Sequence, residues 1–454
     1  MKQDMTVGNP AKIIFKFSIP ILLGNLFQNF YSMVDSVIVG RLLGTNALAA
    51  VGITGPVNFL VMGFILGLTS GYAVITAQAF GSKDPEYLKR SIAMNIMLNT
   101  FSAVLFTVLS LSLSRLIFRL INTPDEIMDL TLDYINIIFA GISATLLYNT
   151  CSCILRAIGD SKTPLYFLIF SSVLNIVLDY VLIKYTGLGV KGAALATVFS
   201  QALSGVLCLF VIIVRYKELR VSRRHFRWND AFAAQHLRIA LPMGFQFSIT
   251  AIGVIVLQGA LNRFGPASIA GQAAGSKVEQ LISVAAGSFG VVMANYVGQN
   301  YGAKRMDRVK SGVWAGTALT LTFSLIAMAI ALIFPDQLTG LFMDAGAENN
   351  EAVLAASREY LHIAGIFFPA LFVIFIYRNT LQAIGRTFWP LMAGVFELVA
   401  RSVCAFTLPI WFGYTGICMA GPIAWFSAAI PLGIAYFVII PKVKLSSQET
   451  LSAS

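Results

Sequence analysis

The sequence predicts an all-α polytopic membrane protein with twelve transmembrane helices in two six-helix bundles, related by a pseudo-twofold axis along the membrane normal. Three observations carry this expectation. Hydrophobic residues make up 57 % of the 454 and charged ones only 12 %, a mixture too apolar for a surface facing water. Apolar runs near the roughly 20 residues that cross a bilayer core recur along the whole chain. Finally, "AQAFGSK" at 77–83 returns as "GQNYGAK" at 298–304.

In chain order, spans 1 to 6 cover 12–40, 47–79, 91–119, 129–155, 164–186 and 190–215. Spans 7 to 12 cover 236–262, 267–298, 309–334, 352–382, 388–411 and 415–440. Several exceed a minimal crossing, so tilt or kinks are expected. Span 5, "FLIFSSVLNIVLDYVLI", is apolar nearly all round, as a bundled membrane helix can be, whereas a barrel strand would alternate over about ten residues. Span 1 follows Lys2 and Lys12 but is too long for a signal-peptide core and has no Ala-x-Ala site, so it is expected to stay. Cys151, Cys153, Cys208, Cys404 and Cys418 lie within spans and form no C-x-x-C pair, which argues against a disulfide framework or a zinc site.

The net charge of +11 is unevenly placed. With the N-terminus on the cytoplasmic side, 22 of the 32 Lys and Arg residues fall on that face and 7 on the other. The positive-inside rule then puts both termini in the cytoplasm of a multi-pass protein, here expected in a bacterial inner membrane. The basic stretch "RYKELRVSRRHFRW" at 215–228 reads as an orientation signal beside anionic headgroups, not as a nucleic-acid site. The loop "FPDQLTGLFMDAGAENNE" is acidic and suits the outer face. The expected division is an N-terminal lobe at 1–220, a basic linker at 221–235, a C-terminal lobe at 236–444 and a disordered tail at 445–454.

The repeat extends beyond its first motif. At the offset of 221 Gly44 matches Gly265 and Lys89 matches Lys310, and at 226 "LRAIGDSKTPL" (155–165) matches "LQAIGRTFWPL" (381–391) and Tyr134 matches Tyr360. Six spans per half is an even number, so the halves run parallel, as in one class of secondary transporters.

Ionisable residues inside the spans are not repeated. Gln28, Tyr31, Ser32 and Asp35 share one face of span 1, and Ser172, Asn175 and Asp179 share one face of span 5. A carboxylate in the hydrocarbon layer is costly and is usually paired or faces a wet cavity. Position 35 falls near Leu257 in the second half, and Asp179 falls on Ala405. Arg41 is available as a purely structural partner for Asp35, and Glu397 and Arg401, four residues apart in span 11, are expected to pair with each other.

The six-plus-six plan, the paired Gln-x-x-Gly loops after spans 2 and 8 and the paired Ala-Ile-Gly…Pro turns after spans 4 and 10 resemble the multidrug and toxic compound extrusion (MATE) family over about residues 10–440. The resemblance implies two lobes around a central cleft and export of bulky, often cationic amphiphiles against inward sodium or proton flow. In the branch of that family that couples through carboxylates of the N-terminal lobe, the pattern maps onto Asp35, Tyr134, Asn175, Asp179 and Thr197. The other branch places acids on spans 7 and 10, where the segments "PMGFQFSITAIGVIVL" and "FFPALFVIFIYRNTL" carry none here. Carboxylate, amide and hydroxyl oxygens of Asp35, Asn175, Asp179 and Thr197 are hard ligands suited to Na⁺, and the carboxylates could equally carry H⁺. Gln28, Tyr31, Asn58, Tyr148, Asn149 and Glu279 are the candidates for the substrate cleft, with Glu279 placed either to attract a cation or to form a structural bond between the lobes.

No cofactor is expected beyond the coupling ion. The partners expected are cationic or amphiphilic small molecules and membrane lipid, without nucleic acid, for a chain acting as a monomer. "GLGVKG" lacks the following Lys-Ser/Thr of a phosphate loop, so ATP is not expected as the direct energy source. A flippase for lipid-linked oligosaccharides is the rival within transport, and it would be expected to show a more cationic cavity. An intramembrane enzyme would need a His/acid constellation that the scattered His225, His236 and His362 do not supply.

Overall fold

The computed structural model describes residues 3–342 and 350–443. The tail at 445–454 and much of the acidic loop after span 9 lie outside them. The first half contains α1 (Pro10–Leu43), α2 (Thr45–Gly81), α3 (Pro85–Leu120), α4 (Asp125–Ala140), α5 (Ile142–Ala157), α6 (Lys162–Thr186) and α7 (Val190–Arg215). The second contains α8 (Asp230–Leu261), α9 (Pro266–Gly302), α10 (Met306–Ile333), α11 (Pro335–Gly340), α12 (Asn350–Ile366), α13 (Phe368–Ala383), α14 (Phe388–Thr407), α15 (Pro409–Phe412) and α16 (Tyr414–Ile439). Among the described residues ten helical segments are long and apolar enough to cross a membrane singly. Two more crossings are broken pairs, α4 with α5 bent by 43° and α12 with α13 by 49°. Together they supply the twelve crossings.

Helices begin earlier than hydropathy suggests because their first turns are polar and capped. Asn9 accepts from the Lys12 amide ahead of α1, Asp84 accepts from the Glu86 and Tyr87 amides ahead of α3, and Asn229 accepts from the Phe232 amide ahead of α8. Such caps satisfy amides that the helix itself leaves orphaned. The expected linker at 221–235 is correspondingly shorter. It contains a 3₁₀ turn at Arg223–Phe226 whose His225 is buried and bonds back to Ser222, while Arg224 pairs with Glu86 of α3 at 3.2 Å. The break at Gly141 brings α4 and α5 close to α7: a β-carbon there would lie 2.3 Å from a Val198 methyl.

The lobes meet at the face that carries the start of α1, the α2–α3 turn and the 216–229 segment, called here the basic face. There the contact is reciprocal. Gln78 at the end of α2 donates to the Ala383 carbonyl at 2.7 Å, and its repeat partner Gln299 donates to the Ala157 carbonyl at 2.8 Å. Beside them Gly81 sits on the Gln299 carbonyl and Gly302 on the Gln78 carbonyl, each so close that a β-carbon would fall 1.9 Å from the oxygen. Residues 71–79 of α2 and 295–300 of α9 are buried throughout, whereas Leu48, Phe59, Leu60 and Leu281, nearer the other ends of these helices, are exposed. The lobes are therefore closed against each other at the basic face, while apolar side chains nearer the other ends of α2 and α9 stay exposed.

Packing crosses the expected lobe boundary in one respect. Ile13, Ile14, Phe17 and Ile21 of α1 belong to the apolar core of the second lobe, and Phe232, Ile239, Ala240 and Met243 of α8 belong to a cluster with Leu68, Tyr72 and Ile75 of α2. Gly67 and Gly71 let α2 approach α8, since β-carbons there would lie within 2.6 Å and 2.3 Å of its backbone. The segment before α1 is threaded into the same interface. Gln3 donates to the Gly159 carbonyl, while the backbone of Met5 receives Asn300 and Arg308 and donates to Gln299.

The turn after α5 is closed by Asp160. Its buried carboxylate accepts from the amides of Lys162 and Thr163, from the Thr163 hydroxyl at 2.6 Å and from the Tyr216 hydroxyl. Burial pulls this carboxyl upward, but the hydrogen bonds from Thr163 and Tyr216 outweigh it and hold the group below the usual aspartate range.

Two outcomes are expected in thermal unfolding of the detergent-solubilised protein. Gly81→Ala and Gly302→Ala each force the clasp apart and cost about 1–3 kcal/mol, to a similar extent in the two halves. The stabilisation from Asp160 is present above a pH of about 4 and is lost as pH falls through its depressed value, so Asp160→Asn flattens the acid limb of the stability profile.

Candidate functional site

Two carboxyl groups, one fully buried and one half-buried, face each other inside the first lobe. Asp35 of α1 and Asp179 of α6 lie within hydrogen-bonding reach of one another, eight and seven residues from the far ends of their helices. Asp179 is fully buried, and neither of its oxygens has a partner; Asp35 Oδ1 and Asn175 Oδ1 are likewise unpartnered. Asn175, one turn before Asp179, donates to the Thr197 hydroxyl of α7 at 3.4 Å. Tyr134 of α4 is buried within Coulombic range of both carboxylates and of Tyr31. The structure thus brings Asp35, Tyr134, Asn175, Asp179 and Thr197 together from four elements.

No cationic side chain among the described residues pairs with either aspartate. Arg41 is exposed at the end of α1 and makes no ion pair with Asp35. Burying an ionised carboxylate costs several kcal/mol unless a partner compensates. Two side by side would have to take up a cation or a proton to remain there. The oxygens around them, from carboxylates, an amide and a hydroxyl, form a donor set that fits a hard monovalent cation as well as a proton.

The second lobe handles its buried charge differently. Glu397 of α14 pairs with Arg401 at 2.7 Å, as expected, and also with Arg378 of α13 at 3.3 Å. Arg401 stands at the position that matches Asn175 in the repeat. Glu279, expected in the cleft, is instead turned into this lobe, where it accepts from the Tyr360 hydroxyl within Coulombic range of Arg401. Two acids and two arginines compensate each other here.

The remaining cleft candidates separate. Gln28 is exposed on α1 and Tyr31 approaches both Gln28 and Gln201. Asn58 is half-buried with its Oδ1 unpartnered. Tyr148 does not line an opening: its ring is buried and its hydroxyl donates to the Pro164 carbonyl at 3.1 Å, which anchors α5 to α6. Asn149 returns its amide to Thr145 on its own helix. Sequence reasoning passed over Gln201, which lies one turn after Thr197 on the same face of α7 and whose Oε1 is buried without a partner. That four-residue polar spacing was the available signal. Arg378 was also missed, because no acid neighbours it in sequence.

Two lobes of parallel topology, a cleft closed at one face, and unpaired membrane carboxylates beside it define a membrane transporter built from a duplicated bundle. The chain belongs to the MATE family: the MatE family model matches residues 20–181 and 242–407. It is a transporter, not an enzyme. The two matched segments begin 222 and end 226 residues apart, the spacing of the internal repeat. The probable multidrug resistance protein YpnP of Bacillus subtilis is 30 % identical over 416 residues, covering 91 % of this chain and 92 % of that one. The probable multidrug resistance protein YoeA of the same organism is 27 % identical over 94 % of this chain and 93 % of its own. In fold, the chain superimposes on an outward-facing multidrug resistance MATE transporter of the MOP superfamily with a TM-score of 0.90, at 23 % identity over 97 % of this chain and 98 % of that one.

The two buried clusters should respond oppositely to neutralisation. Glu397→Gln leaves two guanidinium groups uncompensated and is expected to cost about 3–5 kcal/mol, read as a large fall in unfolding temperature. Asp35→Asn removes one of two uncompensated charges and is expected to leave that temperature unchanged or raised.

Proposed function

We propose that this chain is a secondary active multidrug exporter of a bacterial inner membrane, with both termini in the cytoplasm, and that it moves cationic or amphiphilic organic compounds outward against inward flow of H⁺ or Na⁺. The observation that carries the coupling is the Asp35–Asp179 pair, which is half-buried and fully buried respectively, mutually facing and without a cationic partner among the described residues. The multidrug names of relatives that span almost the whole chain support the substrate class.

With the basic face cytoplasmic, the cleft faces outward. In that state the pair, flanked by Asn175, Thr197 and Tyr134, takes up the incoming cation or proton. Helix α1 links this event to the lobe contact, since it carries Asp35 in its outer half and packs Ile13, Phe17 and Ile21 into the opposite lobe in its inner half. Neutralising the pair removes the charge that opposes closer burial of outer α1 in the first lobe. The lobes then rock about the clasp at Gln78 and Gln299, closing outside and opening inside, while the exposed apolar walls around Phe59, Leu60 and Leu281 supply contact area for bulky substrates.

The test is ethidium efflux from vesicles under imposed pH or sodium gradients. Asp35→Asn and Asp179→Asn are each expected to reduce gradient-driven efflux to the level of empty vesicles while the protein remains folded. Unchanged transport in either variant would overturn the coupling site, and the gradient that drives the wild type names the ion.

A further inference from the structure

The repeat exposes a second feature, at the basic face and away from the carboxylate pair. A cavity of about 530 Å³ opens there between α8, the turn before α14 and the end of α16. Arg238, Arg386 and Lys442 line it from these three elements, with Phe388, Trp389 and Ile439 on the apolar side. No acidic residue lines it, and none of the three cations forms an ion pair among the described residues. All three are exposed, as are Phe388 and Trp389.

The first lobe shows what this position holds when it is filled. At the offset of 226, Asp160 corresponds to Arg386 and Tyr216 to Lys442. There the Asp160 carboxylate takes the two amides at the start of α6, the Thr163 hydroxyl and the Tyr216 hydroxyl, so the scaffold already contains an anion. In the second lobe the carboxylate is replaced by a guanidinium and the phenol by an ammonium. The start of α14 receives no side-chain cap, because the Thr387 hydroxyl is directed to the Arg238 carbonyl at 3.1 Å. One anion site carries its own anion; the other is cationic and open.

We propose that this cavity binds the phosphate of an anionic phospholipid headgroup, with the acyl chains running along the apolar side of α16 and α14. The choice of a lipid over a free phosphate rests on the wall opposite the cations. Phe388 and Trp389 are exposed aromatic side chains at the first turn of α14, the kind of ring that favours a membrane interface, and Val438 and Ile439 at the end of α16 extend the apolar lining. Basic pockets between membrane helices are a recognised physical solution for such headgroups.

The test titrates phosphatidylglycerol, phosphatidylcholine or glycerol 3-phosphate into the detergent-solubilised full chain, read as retained adducts in native mass spectrometry and as a rise in unfolding temperature. Phosphatidylglycerol is expected to bind and stabilise, and phosphatidylcholine is not. Arg238→Gln, Arg386→Gln and Lys442→Gln combined should weaken phosphatidylglycerol binding by about tenfold or more, given roughly 1 kcal/mol per basic residue near an anionic surface. Arg223→Gln with Arg227→Gln, in the equally exposed basic segment, should not. Equal binding by the triple variant, or equal loss in the control pair, would overturn the assignment. Displacement of the lipid by equimolar glycerol 3-phosphate would overturn it in favour of a soluble phosphate ligand. If the triple variant fails to fold, the single variants Arg386→Gln and Lys442→Gln give the same readout, each with a smaller loss expected; no loss in either overturns the proposal.

Discussion

The architecture depends on a reciprocal hydrogen-bonded clasp at one face. Each long central helix, α2 and α9, ends in a glutamine that reaches across to a carbonyl of the other lobe and a glycine that lets the partner's carbonyl approach to van der Waals contact. These amide-to-carbonyl bonds are buried, so separating them without replacement costs more than their net contribution when formed. They tie the lobes together at the basic-face ends of α2 and α9.

Upon that symmetric frame the two lobes dispose of buried charge in opposite ways. The second compensates Glu279 and Glu397 internally, through Tyr360, Arg378 and Arg401, and needs nothing from outside. The first retains Asp35 and Asp179 with unsatisfied oxygens and no counter-charge among the described residues. A duplicated scaffold can thus confine ionic strain to one half, with the other acting as a rigid partner. The exchange of α1 and α8 between cores, each helix packing its inner half on the opposite lobe, gives local charge changes a route to the interface.

Much of this was legible because its signals are periodic or duplicated. The twelve crossings follow from apolar runs, and the Gln-x-x-Gly pair at 78–81 and 299–302 stands out as a repeat, whereas its role in joining the lobes lies in bonds between segments distant in sequence. Asp35, Asn175 and Asp179 were visible because a polar face in an apolar span is rare. Helix starts at Pro85 and Asp230 were not visible to hydropathy, since the caps are polar. Nor was the destination of Glu279: its helix position fits a cleft, and only the three-dimensional approach of Tyr360 and Arg401 turns it inward. Tyr148 was misplaced for a similar reason, because a hydroxyl that satisfies a carbonyl at a helix junction looks in sequence like one awaiting a ligand.

The seat of the amino-terminal segment bears on how the protein is made. Gln3 and Met5, ahead of α1, find partners in Gly159 and in Gln299, Asn300 and Arg308. Met5 and Gln299 are 294 positions apart in the chain, so this segment can settle only after α9 has been synthesised and inserted. Until then the apolar inner half of α1 waits beside a lobe that does not yet exist, exposed to lipid or to whatever insertion factor shields it.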